Sequence, residues 1–202
     1  MGRQGARSER INRSDVVAAA RSRLEAGGLH ALAMRRIADD LGVQQSALYW
    51  HFENKQALLA ALADEILAGV ATPDEPAWDR HVAALALGLR DQLLRYPDGA
   101  ELVATAFAFR LGARRPFTRF AEALTDAGLA PDEAETAASV LLHFVLGFTT
   151  NEQQHRQAAE LGAIDDEATD PHPVGRQFTR ERFEHGVELI LAGIRTRPGL
   201  DR

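Results

Sequence analysis

The stretch that decides the fold runs from Ala33 to Lys55, AMRRIADDLGVQQSALYWHFENK. Ile37, Ala38 and Leu41 recur at helical spacing and share one face of a short first helix. Gly42 follows, the residue type that tolerates the positive φ of a sharp helix-to-helix turn. Val43 packs behind that turn, and Leu48 lies on the inward side of a second helix beginning near Gln44. Ala38 and Gly42, four apart, are small where two crossing helices come closest. Two helices joined in this way make a helix-turn-helix, the unit that lays its second helix in a DNA groove.

The outer face of the second helix carries the argument from fold to chemistry. Gln44, Gln45, Ser46, Tyr49, Trp50 and His51 form a run of long polar and aromatic-polar side chains with almost no charge. Tyr49 and Trp50 could instead be core residues with satisfied polar tips. A helix of about one and a half turns, however, cannot bury Leu48, Tyr49, Trp50 and Phe52 together, because helical periodicity turns some of them outward. The Gln amide offers a donor and an acceptor that suit base edges, adenine above all, while Ser, Tyr and His bond phosphates. The pattern predicts a DNA-reading face.

The longer segment LGVQQSALYWHFENKQALLAALADEIL, residues 41–67, resembles the DNA-binding domain of the TetR family of transcriptional regulators. Within that family it is most similar to the tetracycline-repressor-like class, which carries the pattern LYWH-x-x-NK-x-ALL. The resemblance is close over the first seventy or so residues and looser beyond. It implies DNA contacts at Met34, Arg35, Gln45, Ser46, Ala47, Tyr49, Trp50, His51 and Lys55. Met34 and Ala47 stand where the class has Thr, and Ser46 where it has Pro, so a different operator sequence is implied. Arg35, on the first helix, has the fork to hold a guanine bidentately.

Composition sets the bounds. The 202 residues are 46% hydrophobic and 26% charged, enough for a sizeable core in one or two domains. Cysteine is absent, which removes both disulfides and thiolate metal sites. The first fifteen residues, MGRQGARSERINRSD, are basic without an apolar core segment and do not read as a secretory signal. No run of about 18 apolar residues occurs, so no helical membrane span is expected. A cytoplasmic protein follows as the default expectation. The net charge of −6 argues against a polyanion partner until its distribution is considered. Residues 1–55 hold nine Lys/Arg against six Asp/Glu, while residues 56–202 hold fourteen against twenty-three. A basic head on an acidic body turns its basic end towards nucleic acid.

Around the central motif the chain reads as all-α. Residues 1–13 are expected to form an Arg-rich arm, and Ser14 to cap a helix through about Ala26 that buries Val16, Val17, Ala20 and Leu24. Gly27-Gly28 ends that helix. Lys55 opens a long helix through about Val70 with an apolar stripe of Leu58, Leu59, Leu62, Ile66 and Leu67, a rigid rod between the head and the rest of the chain. Pro73 and Pro76 break the pattern, and helices are expected near residues 77–95, 100–110, 116–127, 131–154 and 180–197. Residues 157–174 read as a long acidic loop. These boundaries predict a DNA-binding domain over 1–55 and a helical effector-binding and dimerisation domain over 56–202.

Two helices of the body carry further information. The run AASVLLHFVLGF, residues 137–148, is apolar nearly all round and is expected to be buried on several sides. Phe183, Val187, Ile190, Leu191 and Ile194 make a continuous stripe on the last helix. By resemblance these two helices pair with their symmetry mates as a four-helix dimer interface. Filling a monomer core is the alternative. A two-fold homodimer would meet a palindromic operator on double-stranded DNA.

The body is also expected to hold a small, mainly apolar or aromatic effector between its helices. Phe107, Phe109, Phe117, Phe120, Phe144 and Phe148 concentrate in one third of the chain and fit a lined pocket as a group. The candidate lining is Leu67, Leu85, Leu89, Val103, Phe107, Phe117, Phe120, His143, Phe144, Phe148 and Asn151, with Thr105 a possible polar contact. The resembling class holds a magnesium–tetracycline chelate. Here Val103 stands where its histidine would be, Ala106 and Phe107 where Thr and Arg would be, Asn151 where Glu would be, and Leu85 and Leu89 where Asn and Phe would be. Specific magnesium-tetracycline recognition is therefore not expected, and no cofactor or metal is called for.

An enzyme is the competing class. His143, His155, His172 and His185, with the acidic loop, could be assembled into a metal or acid–base cluster. Yet the chain has no H-E-x-x-H, no nucleophile elbow and no Gly-rich phosphate loop. Glu152 and His155 make one E-x-x-H, where a di-metal carboxylate bundle needs two and two further Glu. An architectural DNA binder without a ligand is a third reading, and predicts sequence-indifferent, salt-sensitive binding. The pattern favours a ligand-responsive homodimeric repressor.

Overall fold

The computed structural model describes residues 11–163, 178–198 and 200. Among them the chain forms nine α-helices, one 3₁₀ turn at Leu29–Ala31 and no strand. The helices are α1 (Arg13–Gly27), α2 (Met34–Leu41), α3 (Gln45–Leu48), α4 (Lys55–Ala68), α5 (Trp78–Leu93), α6 (Gly99–Ala108), α7 (Arg115–Asp126), α8 (Pro131–Glu160) and α9 (Arg180–Ile194). The all-α expectation holds.

The head is built from α1, α2 and α3 against the start of α4. Helix α1 opens with a capping box, in which Asn12 Oδ1 accepts from Asp15 N–H at 3.0 Å and the Asp15 carboxylate accepts from Asn12 N–H at 2.9 Å. The expected cap at Ser14 is corrected. Ser14 has Val17 at the position where a reciprocal acceptor would be needed, and donates its hydroxyl to Asn12 Oδ1 instead. Arg13 is thus the first helical residue rather than part of a loose arm, and residues 1–10 of that arm lie outside the described residues. Val16, Val17, Ala20 and Leu24 are buried as their spacing predicts.

Helix α4 buries Leu58, Leu59, Ala60, Leu62, Ala63, Ile66 and Leu67. It packs on α1 in the head and on α5, α6 and α7 in the body, so one hydrophobic cluster runs without interruption through both. The longest helix, α8, lies against α5, α6 and α7, and α9 closes over α5 and α8. At the α8–α9 crossing Gly186 is required by space: a Cβ there would run into the ring of Phe144.

Helix α8 continues to Glu160, past the end expected near Gln154, so Gln157 to Glu160 are helical rather than loop. Side chains from this end of α8 grip the turn between α5 and α6. Buried Gln153 donates to the carbonyls of Leu93 (3.1 Å) and Tyr96 (2.7 Å) and accepts from Ala100 N–H (3.1 Å). Gln157 donates to Asp98 Oδ1 at 2.6 Å, and Asp98 Oδ2 accepts from Leu29 N–H at 2.8 Å. One carboxylate thereby joins the body to the 3₁₀ turn of the head. Arg90, also buried, holds Glu152 with two parallel bonds at 3.0 and 2.7 Å and lies over the ring of Phe183.

The expectation that residues 137–148 are enclosed on several sides is corrected for the single chain. Ala138, Leu141, Leu142, Val145 and Leu146 are buried, but Val140, His143, Gly147 and Asn151 form an exposed stripe at helical spacing, with Leu189 of α9 also exposed.

Replacing Gln153 with Ala leaves Ala100 N–H without its partner and takes one of two donors from each of the Leu93 and Tyr96 carbonyls, which keep the N–H groups of Tyr96 and Gly99. The expected loss is about 1–3 kcal/mol of stability, the cost of one unsatisfied buried group. Urea unfolding followed by circular dichroism measures it.

Candidate nucleic-acid interface

The turn between α2 and α3 forms as the sequence requires. Gly42 takes φ 65° and ψ 32°, and Val43 N–H returns to the Ala38 carbonyl at 3.0 Å, satisfying a carbonyl at the end of α2. Helix α3 is shorter than expected, with Gln44 as its N-cap and only Gln45 to Leu48 helical. A turn through Tyr49, Trp50 and His51 continues it.

Leu48 and Phe52 are fully buried beneath this segment and fix its roll. Trp50 is 88% exposed and Tyr49 46% exposed, which excludes the reading of both as core residues. Gln44, Gln45 and Ser46 are exposed beside them, and His51 is half-buried. Gln45 donates its amide to the Tyr49 hydroxyl at 3.2 Å, so two candidate reading groups support each other before any partner arrives. Arg35 and Lys55 are exposed on the flanks. Met34 and Ala47, implied as contacts by resemblance, turn inward instead, at 6% and 8% exposure. Their short or apolar side chains fill the gap between α2, α3 and the rest of the head.

The head is braced from behind. Arg13 donates to the His51 carbonyl at 3.1 Å and stacks over the Phe52 ring at 4.2 Å, pinning the start of α1 to the end of the reading segment. Arg23 grips Asp40 of α2 bidentately and, through those hydrogen bonds, holds its carboxyl below the usual carboxylate range. Asn54 caps α4 by accepting from Ala57 N–H at 2.9 Å, so the N-terminus of α4 opens beside Lys55 on the side of the reading segment. A helix N-terminus favours phosphate.

In the body, the expected aromatic pocket does not assemble as one site. Phe107 and Phe117 pair at 6.1 Å with His143 near Phe107, whereas Phe144 and Phe148 stack with Phe183 between α8 and α9. Phe109, His143 and Asn151 are exposed, and Val103 is sealed in the core. Leu67, Leu85, Leu89 and Phe120 do come together, with Val70, Pro116, Arg115 and Arg119, around a narrow slot. In this state it holds scarcely a single water. The apolar members were legible as inward positions of their helices. The two arginines were missed, although Arg115 and Arg119 are four apart on one helix and so share a face.

Glu152, the carboxylate of the single E-x-x-H, is engaged by Arg90. No group of three or more His, Asp or Glu suited to a metal occurs among the described residues, and His172 lies outside them. No helix among them is long and apolar enough to cross a membrane.

Comparison with known proteins fits this geometry. Residues 16–62 match the family described as bacterial regulatory proteins, tetR family, and residues 72–197 match the tetracyclin repressor-like C-terminal domain. The class A tetracycline repressor from transposon 1721 of Escherichia coli is 36% identical, covering 93% of this chain and 92% of its own. The crystal structure of BioQ from Mycobacterium smegmatis is 36% identical and superposes with a TM-score of 0.80, over 92% of this chain and 98% of its own. BioQ with its double-stranded DNA operator superposes at 0.76 with 34% identity, over 93% and 100% of the two chains. ActR of Streptomyces coelicolor in complex with (S)-DNPA is 26% identical with a TM-score of 0.70, over 91% and 97%. The chain belongs to the TetR family of bacterial DNA-binding transcriptional regulators, and is not an enzyme.

Because Trp50 stands almost wholly in solvent, Trp50→Ala is expected to change folding stability by no more than about 0.5 kcal/mol. Its duplex affinity should nevertheless fall on the order of tenfold, as for the loss of one well-placed contact. Thermal melting and fluorescence anisotropy on the same preparation separate the two effects.

Proposed function

We propose that the protein is a homodimeric repressor that binds a palindromic operator through residues 1–55 and is released by a small, mainly apolar effector taken up by residues 56–202. The observation that carries this reading is the outward row of Gln44, Gln45, Tyr49 and Trp50 on a segment locked from below by Leu48 and Phe52. Gln44, Gln45 and Arg35 approach base edges, while Ser46, Tyr49, His51 and Lys55 bond phosphates. Met34 and Ala47 shape the reading segment from within. The similar BioQ structure with its operator, and the similar ActR structure with (S)-DNPA, support the pairing of a DNA head with a ligand-taking body. Cytoplasmic location follows from work on DNA.

The exposed stripe of Val140, His143, Gly147 and Asn151 supports a two-fold partner. His143 and Asn151 then belong to that contact face rather than to a pocket within one chain. Two heads on one duplex need half-sites about one helical turn, or a multiple of it, apart. Uptake of ligand beside Leu67 moves α4, and with it the separation of the heads. Coupling of this kind amounts to about 1–3 kcal/mol.

Selection of bound sequences from random duplexes is expected to return one palindrome. An architectural binder would return none. On that operator Arg35→Ala should cost about 1–3 kcal/mol and relax the preference at one position if the contact is to a base, whereas a phosphate contact would weaken all sequences alike. Isothermal titration with magnesium and tetracycline is expected to show no tight, magnesium-dependent uptake, because Val103 and Leu85 stand where the class has its histidine and an asparagine.

A further inference from the structure

We infer that the effector is an amphipathic acid, its apolar part lodged among Leu67, Leu85, Leu89 and Phe120 and its carboxylate held by Arg119 with Arg115. This rests on the ligand-responsive reading above and names the chemistry of that site.

Among the described residues the two arginines are the only charged groups on the wall of an otherwise apolar slot, and they also line a neighbouring outer groove. They are the boundary between a place for a tail and a place for a head. Several other arginines of the body are paired with carboxylates: Arg90 with Glu152, Arg180 with Asp91 and Glu184, Arg195 with Asp79 and Glu188. Arg115 and Arg119 make no such pair with any described carboxylate within 4.0 Å. Arg119 is half-buried and donates to the carbonyls of Val70 (3.1 Å) and Ala71 (2.9 Å), just beyond the end of α4. A guanidinium has five N–H donors, so most of its fork remains available.

Burial, and after it the like charge of Arg115, draws Arg119 below its ordinary value, with Glu122 opposing in part. A partly desolvated cation facing a like charge is stabilised by an anion and made worse by a neutral apolar body that removes more water. Glu122 and Asp126 line only the outer groove, with His81. They repel an anion from the outer groove and leave the inner end, between the arginines, as its place. An acid bound there competes for the guanidinium that holds the carbonyls after α4, which connects occupancy of the slot to the helix that carries the head.

The test is isothermal titration of the full-length protein at neutral pH with decanoate, and with decan-1-ol as a neutral probe of the same length. Decanoate is expected to bind at least about tenfold more tightly, the scale of a charge-assisted bidentate contact. Arg119→Gln should erase the preference by weakening decanoate, and Arg119→Lys should restore part of it. Arg115→Gln, at an exposed position, should reduce the preference, and serves as the test should loss of the carbonyl contacts leave Arg119→Gln unfolded on thermal melting. Equal binding of acid and alcohol, a folded Arg119→Gln that keeps the preference, or no uptake of any straight-chain carboxylate from six to twelve carbons would each overturn the proposal. Release of the selected operator by an uncharged compound, with carboxylates inert, would overturn the acid alone and leave the ligand-responsive reading standing. Failure of every compound to release it would remove that reading too.

Discussion

One helix, α4, buries a single row of side chains in two cores at once, and the rest of the molecule is arranged around that fact. Its buried row of leucines, isoleucine and alanines meets α1 at one end and α5, α6 and α7 at the other. Each large apolar side chain so enclosed contributes about 1.5–3 kcal/mol over its exposed state. The helix therefore cannot be shifted against one core without the other answering. A rod held this way needs no relay of side chains to carry a displacement. Its packing is the relay.

Polar groups determine where that packing may give. Arg90 with Glu152 clamps α5 to α8, Gln153 closes the α5–α6 corner, and Arg119 ties α7 to the residues after α4. Apolar surfaces tolerate small slides, whereas buried donors and acceptors must each find a partner. Beside the slot α4 is held by polar contacts as well: Gln92 donates to the Ile66 carbonyl, Asp64 accepts from Ala113 N–H, and Arg119 donates to the carbonyls of Val70 and Ala71.

The fold was legible because the deciding residues act locally. Gly42 at a positive φ, Leu48 and Phe52 inward, and Trp50 outward all follow from helical periodicity and turn chemistry within a dozen residues. The capping error at Ser14 was also local: the reciprocal partner at Asp15 points to Asn12, and a search for S/T caps alone passes over it. The body was harder. Six phenylalanines crowd one third of the chain, but which ring meets which depends on how α6, α7, α8 and α9 cross, information held in no single segment. His143, a candidate polar contact to the effector, and Asn151, matched by resemblance to a Glu, are both turned out by the phase of the helix. Arg115 and Arg119 escaped notice because an arginine pair on an amphipathic helix is ordinary until its neighbours prove to be apolar and its carboxylates absent.

The carboxylate of Asp98 is worth following to its end. Its residue sits at φ 57°, a conformation that side-chain-bearing residues seldom take, and both of its oxygens are committed, one to the backbone of Leu29 and one to Gln157. The head and the body are thus fastened together twice, by the continuous packing of α4 and by the Leu29–Asp98–Gln157 chain of hydrogen bonds.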